Sequence, residues 1–165
     1  MSSNWEGKGT FRLRAAGAAF KGDSILLERL KGWDFWTLPG GGVHFLETTE
    51  QALRREMLEE INSQIIIERL LWIVEGFYQE ETEDSEPFHE IGFYYLFNFL
   101  TDSPCYRQNT FIGDEDGKEL VLKWHSTSTL NSCPLYPAFL RKGLLNLPKD
   151  ITHVQIREGR MLDEK

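Results

Sequence analysis

The chain has 165 residues, 41% of them apolar and 27% charged, a mixture suited to one folded domain with a substantial core. Eighteen basic and 26 acidic side chains leave a net charge of −8, which argues against a duplex nucleic acid partner and against a polybasic membrane contact. A small anionic substrate stays open, because a metal ion can bridge it to an acidic surface.

In chain order, a polar leader gives way to a strand over residues 11–20. A turn at Lys21-Gly22-Asp23 and a returning strand over 24–30 complete the pattern of a hairpin. Residues 31–43 are rich in Gly and Trp, and three consecutive glycines at 40–42 predict a shaped loop. Residues 48–61 carry a helical period: Ala52, Leu53, Met57 and Ile61 share one face, while Glu56, Glu59 and Glu60 project on another. Thr48 with Gln51 forms a capping-box pair, and Asn62 is suited to the left-handed exit.

Beyond the helix, residues 64–78 read as one or two strands, 79–88 as an acidic loop and 91–100 as an aromatic strand. A turn at Asp116-Gly117 precedes a strand over 120–125. A late helix over 136–146 and a short strand over 151–157 close the chain. Strands flanking two helices in this order predict an α+β or α/β sandwich with a mixed sheet, in one domain over residues 1–165. Cys105 and Cys133 show no CxxC spacing, which fits packing thiols in a reducing cytoplasm. The leader lacks the pattern of a signal peptide, and no membrane span is expected.

The stretch that carries chemistry is Gly41 to Glu60, GGVHFLETTEQALRREMLEE. Glu56, Glu59 and Glu60 converge on one stripe of the helix, where like charges repel unless a hard divalent cation relieves them. Arg55 is one turn from Glu59, and Glu47 adds a further carboxylate near the helix start. Upstream, the glycines can bring backbone carbonyls and amides up to a metal or a phosphate. The run Asp114 to Glu119, DEDGKE, places its glycine fourth rather than sixth, so it reads as a hairpin turn and not a calcium loop.

This stretch resembles the Nudix box, GX5EX7REUXEEXGU, where U is a bulky apolar residue. Gly41 leads, Glu47 follows after five residues, and Arg55-Glu56-Met57-Leu58-Glu59-Glu60 follows after seven more. The box spans residues 41–63, with Asn62 in place of the final glycine and Ser63 in place of the apolar residue.

The resemblance implies a Nudix-like α/β/α sandwich and hydrolysis of a diphosphate linkage with Mg2+ or Mn2+. Glu56 and Glu60 would be the principal metal ligands, and Glu59 a ligand or the activator of the attacking water. Arg55 would orient the glutamates, Glu47 would support a further metal or hold the loop, and the Gly40 carbonyl would be an extra ligand. Glu90 is the candidate acidic residue outside the box, with Glu75 second; His89 reads as a hydrogen-bonding loop residue. Gly41 and Gly42 are candidates for substrate contact. So is Trp36, within a set of stacking candidates that includes Trp33, Phe35, Phe77 and Tyr78. Substrate classes consistent with this are ADP-ribose, a nucleotide sugar or a nucleoside triphosphate. A catalytically silent nucleotide sensor is the alternative. The isoprenoid diphosphate isomerase branch is weaker, because Cys105 and Cys133 lack an active-site context. A homodimer through residues 91–100 is the expected assembly if the chain is not monomeric.

Overall fold

A computed structural model describes residues 9–79 and 86–159. Nine strands and two helices follow in order: β1 Thr10–Ala18, β2 Phe20–Lys21, β3 Ser24–Leu30, β4 Gly40–Gly42, α1 Thr49–Ile61, β5 Ile65–Gln79, β6 Phe88–Phe99, β7 Thr110–Glu115, β8 Lys118–Ser126, α2 Leu140–Gly143 and β9 Thr152–Gly159. They form a mixed five-stranded sheet, β4-β1-β6-β5-β9, and an antiparallel four-stranded sheet, β2-β3-β8-β7. In the first sheet β1 runs parallel to β6, and β5 parallel to β9.

Alternation along β1 and β6 sends side chains to two cores. Ala16, Ala18 and Tyr94 join Trp72, Leu140 and Leu144 on one side; Ala15, Tyr95 and Phe97 join Ala52, Leu53 and Met57 of α1 on the other. The two helices thus serve opposite faces of the mixed sheet, as the sandwich reading requires. On the α1 face Gly17 has no room for a side chain, since a Cβ there would lie 2.4 Å from Phe97.

Helix α1 starts as its sequence predicts. Thr48 Oγ1 accepts from the Gln51 N–H, and the Gln51 side chain accepts from the Thr48 N–H. Asn62 takes the left-handed conformation at φ 49°, and its N–H closes on Leu58 and Met57 carbonyls. Ser63, where an apolar residue was expected, is buried with its hydroxyl 3.0 Å from Cys105 Sγ.

Several expectations change. The hairpin survives only at its tip, Phe20–Lys21 against Ser24–Ile25, because β1 leaves to pair with β6 in the other sheet. Gly40–Gly42 is not wholly loop: it forms β4, an edge strand on β1. Glycine is required there for close approach, as a Cβ on Gly40, at φ 139°, would meet the Ala15 carbonyl at 2.1 Å. Residues 64–78 are one strand with two bulges, and β6 begins at Phe88. The late helix shrinks to Leu140–Gly143, because Pro134 and Pro137 cannot donate and the turns after Pro137 bond three residues apart. Strand β7 had no expectation; Asp116 and Gly117, both at positive φ, make its turn into β8 as foreseen. Most of the expected acidic loop, and the leader up to residue 8, lie outside the described residues. Among the described residues no helix is long and apolar enough to cross a membrane.

Candidate active site

The site lies where α1, β4 and the ends of β1, β3, β6 and β7 meet. Its hub is Arg55. The guanidinium donates to both carboxylate oxygens of Glu47, each at 2.9 Å, to Glu56 Oε1 at 2.8 Å, to Glu59 Oε2 at 3.1 Å and to the Gly42 carbonyl at 2.8 Å. One planar fork thus ties the glycine strand, the loop before the helix and two helix carboxylates into one unit. Glu47 also accepts from the His44 N–H at 3.0 Å, and its hydrogen bonds from Arg55 hold its carboxyl down at about 2. Both Glu47 oxygens are therefore taken up in holding the loop.

Glycine also shapes the Glu56 position. A Cβ on Gly41 would stand 2.3 Å from the Glu56 carboxyl, so the missing side chain is the space that the carboxylate occupies. Glu59 is mostly exposed, whereas Glu60 is buried at 6% exposure. Burial first, then Glu28, Glu56 and Glu115, pushes the Glu60 carboxyl up to about 10.

Glu28 on β3 is the residue that sequence reasoning missed. It sits at 4% exposure after Ile25, Leu26 and Leu27, all fully buried. Burial pushes its carboxyl up to about 8, with Arg14 and the Gly40 backbone opposing. Arg14 reaches Glu28 Oε1 at 3.4 Å and gives its better bond, 3.0 Å, to the Leu38 carbonyl. A carboxylate directly after the apolar run Ile25-Leu26-Leu27 in SILLERL was the available signal.

The cleft has a volume of about 550 Å3. Arg12, Arg14, Glu28, Glu90 and Glu115 line its polar side, and Trp33, Phe35 and Tyr136 its aromatic side. Glu90 is buried and accepts from Arg12 Nε at 2.8 Å and from its Nη2. Trp33 stacks on Phe35 at 4.6 Å, and Phe35 meets Tyr136 edge-on. Trp36 is placed elsewhere: its ring is buried in the core against His125, and it does not line the cleft. None of Gly40, Gly41 and Gly42 lines the cleft wall: Gly40 packs on the Ala15 backbone, Gly41 backs the Glu56 carboxylate, and the Gly42 carbonyl accepts from Arg55. Glu75 bonds Gln155 on β9, and His89 stacks on Phe77; neither lines the cleft.

A hard cation fits these donors. Glu28 Oε2 and Glu60 Oε2 are buried without a hydrogen-bond partner among the described residues, and an orphaned carboxylate oxygen in a dry setting is costly. No three His, Cys, Asp or Glu side chains among the described residues stand gathered around one point. Magnesium needs no such cage, since it commonly uses one or two carboxylates and completes its shell with water and substrate phosphate.

A mixed sheet thus carries an arginine-tied carboxylate helix beside a glycine edge strand, the arrangement expected from the signature stretch. The NUDIX domain profile matches residues 11–145. An uncharacterized Nudix hydrolase of Bacillus subtilis (strain 168), YvcI, is 28% identical over 129 residues, covering 73% of each chain. A shorter match, 41% identical over 54 residues, covers 30% of this chain and 32% of an RNA pyrophosphohydrolase of Acinetobacter baylyi. Among solved structures, an ADP-ribose pyrophosphatase from Streptococcus suis superposes with a TM-score of 0.56 at 17% identity, covering 89% of this chain and all of that one. The chain belongs to the Nudix hydrolase family.

Proposed function

We propose that the protein hydrolyses a diphosphate linkage in a nucleoside diphosphate derivative, such as ADP-ribose, a nucleotide sugar or a nucleoside triphosphate, with a divalent cation bound by the helix carboxylates. The observation that carries this reading is the Arg55 hub. It fixes Glu47, Glu56 and Glu59 around the glycine strand, and Glu60, one helical turn from Glu56, keeps a buried oxygen without a partner among the described residues. One guanidinium charge among these carboxylates leaves negative charge over, which a divalent cation would offset.

Glu56 and Glu60 would hold the cation, Mg2+ or Mn2+, with Glu59 and the Gly40 carbonyl as further donors. When bound, the cation would neutralise diphosphate charge and lower the pKa of a water. Arg55 keeps the glutamates in place, and Glu47 holds the loop that carries the glycines. Glu59 is exposed enough to take the proton of an attacking water, and Glu90, at the cleft wall, is the second such acceptor. Water forms a bond to one phosphorus, the bridging P–O bond breaks, and the leaving phosphate departs with its oxygen. Arg12 and Arg14 bring positive charge to the cleft, and Trp33, Phe35 and Tyr136 offer it an aromatic wall for a base. The names of the RNA pyrophosphohydrolase and of the ADP-ribose pyrophosphatase support cleavage of a diphosphate linkage, and the second is in line with a small nucleotide derivative. Free, buried Cys105 and Cys133 support a reducing cytoplasm.

Phosphate-product release should be measured with Mg2+ across ADP-ribose, nucleotide sugars, dinucleoside polyphosphates and nucleoside triphosphates. Metal-dependent turnover of one class is expected. No turnover of any of them, alongside metal-dependent thermal stabilisation by one, would turn the reading to a nucleotide sensor.

A further inference from the structure

We propose that Glu28 on β3, which lines the cleft, and Glu60 on α1, buried behind it, jointly hold a divalent cation, so that the site takes a ligand from outside the signature helix. The inference shares with the proposed function the need for a divalent cation. It adds a donor that the helix pattern does not contain.

Four observations carry it. Glu28 Oε2 and Glu60 Oε2 are both buried and both without a hydrogen-bond partner among the described residues. Two carboxyls that merely shared a proton would bond each other through those oxygens, and they do not. Glu28 lines the cleft, so an ion bound to it can also reach a substrate phosphate. Finally, Arg14 does not compensate Glu28 fully: it touches one oxygen, at 3.4 Å, and turns its shorter bond to a backbone carbonyl.

The fold brings these groups together through small residues. Gly113 on β7 packs so closely on α1 that a Cβ there would lie 2.6 Å from the Glu60 carbonyl. That approach carries Glu115, two residues on, to the same cleft, where it adds negative charge felt by both Glu28 and Glu60. Glu28 and Glu60 thus keep their unpartnered oxygens in a region of net negative charge, and Arg14, the guanidinium that touches Glu28, gives its shorter bond to the Leu38 carbonyl. A hard cation with water and phosphate in its remaining positions satisfies that geometry.

The test is Mn2+ titration of the substrate-free protein, followed by the electron paramagnetic resonance signal of free Mn2+. Glu28→Gln should weaken binding at one site at least tenfold, whereas Glu119→Gln, on the exposed Lys31 pair, should leave it unchanged. Wild-type affinity and stoichiometry in Glu28→Gln would overturn the inference while leaving the hydrolase reading intact. A wild-type protein that binds no Mn2+ and needs no metal for turnover would overturn both. If Glu28→Gln does not fold, paramagnetic broadening in the wild type decides. The amides of Leu27 and Glu28 should broaden along with that of Glu60, and sharp β3 resonances beside a broadened α1 would contradict the proposal.

Discussion

Arg55 and Glu47 meet in a two-pronged ion pair, Nε to one carboxylate oxygen and Nη2 to the other, both at 2.9 Å. Eight residues apart in sequence, they close the loop that carries Phe45 and Leu46 over the start of the helix. Because the same guanidinium also holds Glu56, Glu59 and the Gly42 carbonyl, its planar fork and not only its charge matters. Arg55→Lys should lower kcat/KM by about 10- to 100-fold, as losses of groups that orient metal ligands do. Full activity in the lysine variant would show that the fork is dispensable.

Gly41 gives a prediction that separates site from fold. An added methyl would meet the Glu56 carboxyl, the mobile end of a side chain, so the carboxylate should move while the strand stays. Gly41→Ala should therefore cost activity with little change in melting temperature. Gly17→Ala is the contrast. Its methyl would press on Phe97 and Leu53 inside the core, and chemical denaturation should show a loss of about 1–3 kcal/mol. Equal stability losses in the two variants would contradict this division.

Acid and base should act on different carboxylates. Glu47 titrates near 2 in the folded protein against 4.5 when unperturbed, so its contribution to stability is complete above pH 4.5 and fades as pH falls towards 2. Glu47→Gln should flatten that acid limb. Glu28 and Glu60 are shifted the other way, to about 8 and about 10. Between about pH 4.5 and those values the folded protein binds more protons than the unfolded chain, so stability should fall as pH rises through the window. Melting temperatures in a chelator from pH 5 to 9 test this; a wild-type profile as flat as that of Glu60→Gln would contradict it.

How far the sequence reads depends on whether the signal is local. The helix, its Thr48 cap, its Asn62 exit and the carboxylate stripe all follow from spacing within one segment, and the structure places them so. What was hidden is tertiary. Glu28 lies on β3, a strand of the other sheet from β4, so its place in the site depends on how the sheets meet, and β7 reaches α1 only because Gly113 lacks a side chain. Trp36 illustrates the reverse: next to the glycines in sequence, it turns inward to His125, while Trp33 and Phe35 face the cleft. Parity along an irregular segment could not decide which aromatic points where. The one-turn α2 was obscured by a period that matched a helix although Pro137 broke its hydrogen bonding.

For the aromatic wall, Tyr136→Ala and Trp33→Ala should raise KM by about 5- to 30-fold with a smaller effect on kcat, the loss expected when a stacking face of about 1–2 kcal/mol is removed. Unchanged KM in both variants would place the base elsewhere.

The most direct test is turnover of the best substrate by wild type, Glu56→Gln and Glu60→Gln, each with Mg2+ and with a chelator. Glutamine suits the purpose at position 60, since the buried carboxyl, held up at about 10, is already protonated without metal, and the variant should fold as the wild type does. Chelation should abolish wild-type turnover, and both variants should lose at least about 100-fold while still folding, Glu60→Gln melting no lower than the wild type. Wild-type rates in either folded variant, or turnover that persists in the chelator, would contradict this.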